Sequence, residues 1–442
     1  MSDNTKDKSG TPVPTRRLSR LAGLGGVAAN VAGGVAIQGV RQMASGKRPK
    51  ISDLLLTPKN AQKLTHQLSN MRGAAMKIGQ MISMDSGDFL PKEFADILAR
   101  LRADAQHMPR SQLMRVLTQE WGDDWQAQFS EFEYKPVAAA SIGQVQRARL
   151  PNGDTLAIKV QYPGVKDSID SDVNNVASLL RISGLIPGNL DVKPIIEEGR
   201  RQLHQEADYE REAEYLNRFR NVLRDDKNFQ VPNHYKTLST DKILAMSYIE
   251  SRPIEYMLDA PQETRDRISA LLIELTLREI FVFNIMQTDP NFANYGYNLE
   301  NGKLVLLDFG ASCDIEKGLV AAYKNMFSAI VRGTQQDIIE NAIQIGFIPA
   351  DMPVKYLTDI LEIIDLAIQP LCQDKIFDFG ANEVAAQIRD KSMPLASQRE
   401  LWHLPPAETV FIQRKIGGVY LLATRLGARV NIHSLLQKYL AN

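Results

Sequence analysis

Residues Phe283 to Ser312 read F-N-I-M-Q-T-D-P-N-F-A-N-Y-G-Y-N-L-E-N-G-K-L-V-L-L-D-F-G-A-S. Asp289 is followed by Asn294 and then by Asp308, which opens a D-F-G. In phosphoryl transfer that trio has a mechanical logic. One Asp lies beside the attacking oxygen, an Asn holds one Mg2+, and the D-F-G Asp holds the metal that bridges the phosphates. Between Asn294 and Asp308 comes a turn signal, Asn301-Gly302, and then the apolar run Leu304 to Leu307, which reads as a short buried strand. A carboxylate at the end of such a strand is held rigidly, as a metal ligand must be. A lone D-F-G is weak, because the chain carries a second copy at Asp378-Phe379-Gly380. That copy lacks an upstream D-x-x-x-x-N and a clean preceding strand, so it reads as a turn.

Working outward, 442 residues exceed one average domain and suggest two lobes with extensions. Two cysteines, Cys313 and Cys372, make no disulfide framework and no C-x-x-C, so a reducing compartment is the default. Six scattered histidines give no zinc signature. Net charge is zero but unevenly spread: residues 1–50 carry nine Lys/Arg against Asp3 and Asp7. A basic arm points to an anionic surface. Without basic patches interleaved with aromatics later in the chain, lipid is favoured over nucleic acid. Within the arm, residues 1–18 have the composition of a disordered tail. The uncharged Ala/Gly run from Leu21 to Val40 is a flexible linker, a membrane-associated or self-associating helix, or a spanning one. Its Gly25, Ala29 and Gly33 have the spacing of close helix pairs, which makes a homodimer one outcome.

From Thr57 to about Leu117 the pattern is helical, with Leu68, Met71, Ala75, Ile78 and Ile82 on one face. Gly73, Lys77 and Gln80 share another face, either solvated or aimed into a pocket. Around Pro136 the character changes. Val137 to Leu150, Pro-Asn-Gly-Asp and Thr155 to Val160 read as strand, turn, strand, with Lys159 inward on the second strand. A hairpin ending A-I-K resembles the kinase lysine that grips the α/β-phosphates. The loop over the phosphates then runs from Ala138 to Gly143 and is alanine-rich rather than glycine-rich, which narrows its backbone freedom. By itself the same run reads equally as a strand entry. A kinase-like lobe needs one helical Glu for Lys159, and the stretch holding Glu206, Asp208, Glu210, Glu212 and Glu214 is the one in the right order. Val231 to Ile249 alternates like strands, and Glu250-Ser-Arg-Pro253 reads as the linker where adenine would dock on backbone at Glu250. After Gly310 no A-P-E follows and a helical pattern begins by about Lys317, which leaves no long segment to seat a peptide.

With these motifs in order, the chain resembles the UbiB family, the aarF-domain or atypical kinase-like proteins of prenylquinone biosynthesis, from about Ser52 to its C-terminus. The family's K-x-G-Q appears as Lys77-Ile78-Gly79-Gln80, its alanine-rich nucleotide loop as Ala138-Ala139-Ala140-Ser141, and its E-x-D as Glu206-Ala207-Asp208, followed by Arg211-Glu212-Ala213. Gln161 to Val165, Ser171 to Asn175 and Arg414-Lys-Ile-Gly-Gly418 also look like the family. Many bacterial members carry H-x-D-P-H-x-G-N. Here Gln287, Asn291 and Ala293 replace the two His and the Gly, closer to the mitochondrial coenzyme Q branch. With Asp3 and Asp7 and few Arg, the N-terminus is too acidic and too poor in Arg to read as a transit peptide. A bacterial relative on the cytoplasmic side of the inner membrane is therefore expected, with the mitochondrial inner membrane as alternative.

The resemblance implies an α+β, two-lobed protein-kinase-like fold with an N-terminal helical extension. Its parts are a basic arm (1–50), the K-x-G-Q extension (51–117), an N-lobe with inserted helices (118–249) and a helical C-lobe (250–442). It implies that Lys77 pairs with Glu206 and Lys159 with Glu212, and that Lys77, Gln80, Glu206 and Asp208 gate the site. ATP or ADP would lie under Ala138 to Gly143, Mg2+ on Asn294 and Asp308, and the acceptor beside Asp289. The implied activity is an ATPase supporting ubiquinone biosynthesis at a membrane. The alternatives are a small-molecule or lipid kinase and a nucleotide-sensing scaffold. Implied partners are anionic lipid, quinone precursors and ubiquinone-biosynthesis proteins.

Overall fold

The computed structural model describes residues 71–85, 107–182, 193–332, 334–381, 383–396 and 406–440. The basic arm, residues 57–70 and 86–106 of the helical stretch, and the Pro187-Gly188 break lie outside them. The described residues form two compact units, one reaching to Glu214 and adding Asn233–Tyr248, the other holding Tyr215–Pro232 and the chain from Ile249 on.

The first unit opens with helices α1 (Arg72–Asp85) and α2 (Arg110–Trp121). Strands β1 (Glu131–Phe132), β2 (Ala138–Ala139), β3 (Gly143–Arg149) and β4 (Thr155–Gln161) follow. Next come α3 (Val165–Ile182), α4 (Lys193–Glu206) and α5 (Tyr209–Val222), whose last residues belong to the second unit, as does β5 (Phe229–Gln230). Strand β6 (Ile243–Ser247) completes the sheet, ordered β1-β3-β4-β6 with β2 also on β3, all antiparallel.

The β3–β4 hairpin forms where Pro151-Asn-Gly-Asp154 turns. Gly153 sits at φ 94°, and the Asn152 side chain accepts from the Asp154 amide at 3.0 Å. Beyond Thr155 every residue of β4 is buried, because both faces of the sheet are covered. Alternation then sorts the side chains. Leu156, Ile158 and Val160 join one core with Leu113, Leu117 and Trp125. Lys159 stands in register with Leu244 of β6, so the two share the opposite face. Leu244 packs there with Ala75 and Ile78 of α1, Val173 of α3, Leu203 of α4 and Ala213 of α5. The helical face of α1, Ala74, Ala75 and Ile78, with Met71 just before the helix, is thus spent on the sheet's helix side.

In the second unit, β7 (Arg252–Pro253) precedes α6 (Gln262–Arg278), which runs on as a wider π-turn over Glu279–Phe283. Asn284 ends it in the left-handed region at φ 53°, a conformation asparagine tolerates. Strands β8 (Ile285–Gln287), β9 (Tyr295–Tyr297), β10 (Leu304–Leu306) and β11 (Ser312–Asp314) come next. One sheet is ordered β5-β10-β9-β7, with β5 parallel to β10, and β8 pairs with β11 as a separate ribbon. The remainder is α7 (Lys317–Arg332), α8 (Gln335–Gln344), α9 (Val354–Cys372), β12 (Phe377–Asp378), α10 (Val384–Ala396), α11 (Ala407–Leu426), β13 (Arg429–Val430) and α12 (Ile432–Leu440). The second D-F-G differs slightly from its reading as a plain turn. Its Asp378 ends a two-residue strand paired with β13, and the turn follows. A small antiparallel sheet with inserted helices, followed by a helix-rich unit, is the α+β protein-kinase-like fold, with α1 as its extension.

Candidate active site

Lys159 meets Glu212 because of how α5 begins. Asp208 stands just before the helix, and its Oδ1 accepts from the Arg211 amide at 3.0 Å, an N-cap. Its carbonyl accepts from the Glu212 amide at 3.0 Å, and Glu210 and Glu212 lie in the first turn, where the helix dipole favours negative charge. Glu212 is thereby presented to β4. Lys159 Nζ donates to both of its carboxylate oxygens at 2.8 Å and lies 5.2 Å from the Tyr209 ring centre. Glu212 is fully buried, and an ion pair at that depth holds only with geometry this good. Of the five acids in this stretch, Glu210 and Glu214 face solvent, while Asp208 caps the helix.

Glu206, at the end of α4, ties the extension to the loop. Lys77 Nζ donates to Glu206 Oε1 at 2.5 Å, and Ser141 Oγ donates to Oε2 at 2.6 Å. Lys77 is 1 % exposed, so the polar strip of α1 is not a solvated face there. Gly73 sits so near the loop that a Cβ would stand 3.0 Å from the Ser141 carbonyl. Gln80 belongs to the same helix, but its side chain is outside the described set. The alanine-rich run is part strand and part turn. Ala138 and Ala139 pair with Val145 and Gln144, and the Ala140 amide closes the turn on the Gly143 carbonyl at 2.8 Å. A Cβ at Gly143 would run into the Val160 carbonyl, so the turn needs glycine for close approach.

In the second unit, Asp289 leaves β8 and Asn294 ends a single helical turn, Phe292–Asn294, capped by the Asn291 side chain. Asn294 Nδ2 donates to the Asp289 carbonyl at 2.8 Å and reaches its Oδ2 at 3.4 Å. The Leu307 amide donates to the Asn294 carbonyl at 3.0 Å, which brings Asp308 beside this loop. Asp308 Oδ1 accepts from the Gly310 amide at 3.0 Å, and Phe309 packs on Phe219 with ring centres 5.4 Å apart. Asp289, Asn294 and Asp308 are all half-buried. The Glu250 side chain is exposed, and its carbonyl accepts from Asn298 Nδ2 at 3.1 Å.

Behind the loop lies a network that the sequence reading passed over. Lys415 of α11 forms a 2.9 Å ion pair with Glu279 of the π-turn, both fully buried. Its ammonium also donates to the Gln287 carbonyl at 2.9 Å and to the Tyr295 hydroxyl at 3.0 Å. Burial opposes its charge, but the Glu279 carboxylate and Tyr295 outweigh that and hold Lys415 above the usual lysine range. Gln287 Oε1 accepts from the Asp289 amide at 3.1 Å, so the residue replacing the family's His still braces the acid. A Cβ on Gly418 would overlap Pro290, so α11 rests directly on the loop. The signals were the R-K-I-G-G run and a lone Glu in the apolar stretch after Leu277.

The donor set fits magnesium. Asn294 uses its amide nitrogen on Asp289, which leaves a hard side-chain oxygen, and Asp308 adds a carboxylate. Mg2+ is commonly bound by one or two such groups plus phosphate oxygens. Among the described residues no group of three or more His, Cys, Asp or Glu is arranged to hold a metal. Fold and site define the class, a kinase-like, ATP-dependent phosphotransferase-like enzyme.

Comparison with known proteins narrows this. Residues 100–342 match the ABC1 atypical kinase-like domain, and the chain belongs to that family, the UbiB proteins, on its coenzyme Q branch. It is 38% identical over 433 residues to atypical kinase COQ8, mitochondrial, of Saccharomyces cerevisiae, covering 97% of this chain and 86% of that one. It is 36% identical over 427 residues to atypical kinase COQ8B, mitochondrial, of Danio rerio, covering 96% and 68%. Among solved structures it resembles Rv3197 of Mycobacterium tuberculosis, determined in complex with erythromycin. There the TM-score is 0.62 and the identity 25%, over 87% of this chain and 97% of that one. Among the described residues no helix is long and apolar enough to cross a membrane.

Proposed function

We propose that the protein binds and hydrolyses Mg-ATP as an atypical kinase-like ATPase that supports ubiquinone biosynthesis at a membrane. Lys159, aligned by Glu212, meets the α/β-phosphates, and Asn294 and Asp308 hold the metal, which neutralises phosphate charge when bound. Asp289 orients or deprotonates the acceptor, water in this reading. The run Ala138 to Gly143, with Ser141, covers the nucleotide. Lys77, Gln80 and Glu206 gate the site, and Asp208 serves the gate by capping α5. Glu250 marks the backbone on which adenine docks.

The observation that carries this reading is the double use of Glu206. One carboxylate binds Lys77 of the extension and Ser141 of the Ala138–Gly143 run together, which supports a gate over the nucleotide. Helix α7 begins at Lys317, soon after Asp308, which leaves little chain to seat a peptide. Both features favour hydrolysis, or transfer to a small acceptor, over protein phosphorylation. The names of the similar COQ8 proteins place those relatives in mitochondria, which favours the mitochondrial inner membrane for this chain. The expected bacterial location is not supported. Partners are anionic lipid, through the basic arm, and the proteins and precursors of the quinone pathway.

The test is phosphate release from ATP by purified protein, with and without cardiolipin-containing liposomes, beside an Asp308→Asn control. Lipid-stimulated release that the control loses is the expected result. A labelled lipid product would make the protein a lipid kinase instead. Nucleotide binding without turnover would make it a scaffold.

A further inference from the structure

A fully buried charge of the second unit, Lys415, touches no group that the proposed phosphate chemistry uses. Lys415 is fully buried, and its three partners are not randomly placed. The Gln287 carbonyl closes β8, one end of the catalytic loop, and Tyr295 opens β9 immediately after Asn294, at the other end. Between these two anchors lie Asp289 and Asn294. The third partner, Glu279, also accepts from the Gln287 amide at 3.2 Å, so acid and base grip the same strand end. One turn further along α11, Gly418 admits Pro290, the residue after Asp289.

We infer that Lys415 is a positioning residue. It fastens the two ends of the catalytic loop to each other and to helix α11, and so fixes the spacing between Asp289 and Asn294. Glu279 and Tyr295 complete the fastening. Stability alone does not account for the arrangement, because a buried ion pair is commonly matched or exceeded by apolar side chains of similar volume. An apolar side chain could fill the space, but it could not bond a carbonyl at one end of the loop and a hydroxyl at the other. The consequence falls on metal use. Asn294 is the predecessor of Tyr295, and groups that orient a metal ligand change affinity or rate by about 10- to 100-fold when removed. This inference rests on the proposed roles of Asp289 and Asn294.

The decisive variant is Tyr295→Phe in the full-length protein, which keeps the ring and the ion pair and removes only the hydroxyl. Lys415→Arg and Lys415→Met accompany it. The readouts are the Mg2+ concentration for half-maximal phosphate release, ATP affinity in EDTA, hydrogen exchange of residues 288–294, and the thermal midpoint. Tyr295→Phe is expected to raise the Mg2+ requirement and lower turnover, each on the order of tenfold. Exchange should quicken within 288–294, while ATP affinity in EDTA stays at the wild-type value. Lys415→Arg should recover part of what Lys415→Met loses. If Tyr295→Phe and Lys415→Met move only the thermal midpoint, the residue is purely structural and the inference is wrong. If the wild type itself shows no Mg2+-dependent release, the functional reading falls. Exchange in Tyr295→Phe then still decides whether the loop is fastened this way.

Discussion

The chain writes D-F-G twice, and the local backbone responds alike both times. Asp308 Oδ1 accepts from the Gly310 amide at 3.0 Å, and Asp378 Oδ1 accepts from the Gly380 amide at 2.9 Å. Phe309 and Phe379 are both buried. The two copies part company in what the turn is fastened to. Asp308 follows β10, and the neighbouring Leu307 amide is bonded to Asn294, so this carboxylate stands beside a loop that itself carries an acid. Asp378 pairs with Arg429 at 3.2 Å, a contact open to solvent on both sides. Three residues specify a turn. What sets the first copy apart is the adjoining loop from Gln287 to Tyr295, which Lys415, Glu279 and Gly418 contact.

The sharpest way to break the comparison is to remove those supports. Lys415→Met leaves Glu279 buried without its partner, and stability should fall by about 3–5 kcal/mol in chemical denaturation. Asp308→Asn comes next. Turnover should drop about 10²- to 10³-fold, which is about 3–4 kcal/mol of barrier. The fold should survive, because the asparagine oxygen can still accept from the Gly310 amide. A melting curve that matches wild type, beside lost phosphate release, is the expected pair of results.

Much of this was legible in the sequence, for physical reasons. The hairpin was, because Pro-Asn-Gly-Asp sets the turn and alternation puts Lys159 opposite Ile158 and Val160. The trio Asp289, Asn294 and Asp308 was, because a loop acid, an amide and a strand-end acid keep a fixed order along the chain. Glu212 was not separable from its four acidic neighbours by periodicity. Only the cap at Asp208 sets the helical phase that turns Glu212 inward and leaves Glu210 and Glu214 in water. The bond from Ser141 to Glu206 spans elements far apart in the chain, and no local pattern announces it. Lys415 hid for the opposite reason: a lysine on a helix is usually solvated, and its burial depends on Glu279, which is itself buried in an apolar stretch.

The smaller effects test the same contrast from its other side. Gly418→Ala adds one methyl against Pro290 and should cost about 1–3 kcal/mol by overpacking, with turnover reduced because the strain falls on the catalytic loop. Asp378→Asn is the mildest change. It keeps an oxygen for the Gly380 and Ala381 amides and removes the charge facing Arg429. An exposed pair of this kind contributes less than about 1 kcal/mol, so the thermal midpoint should barely move and phosphate release should equal that of wild type. Were Asp378→Asn to depress turnover as Asp308→Asn does, the second turn would share in the chemistry. The distinction would then lie in some property other than the buttressed loop that adjoins the first.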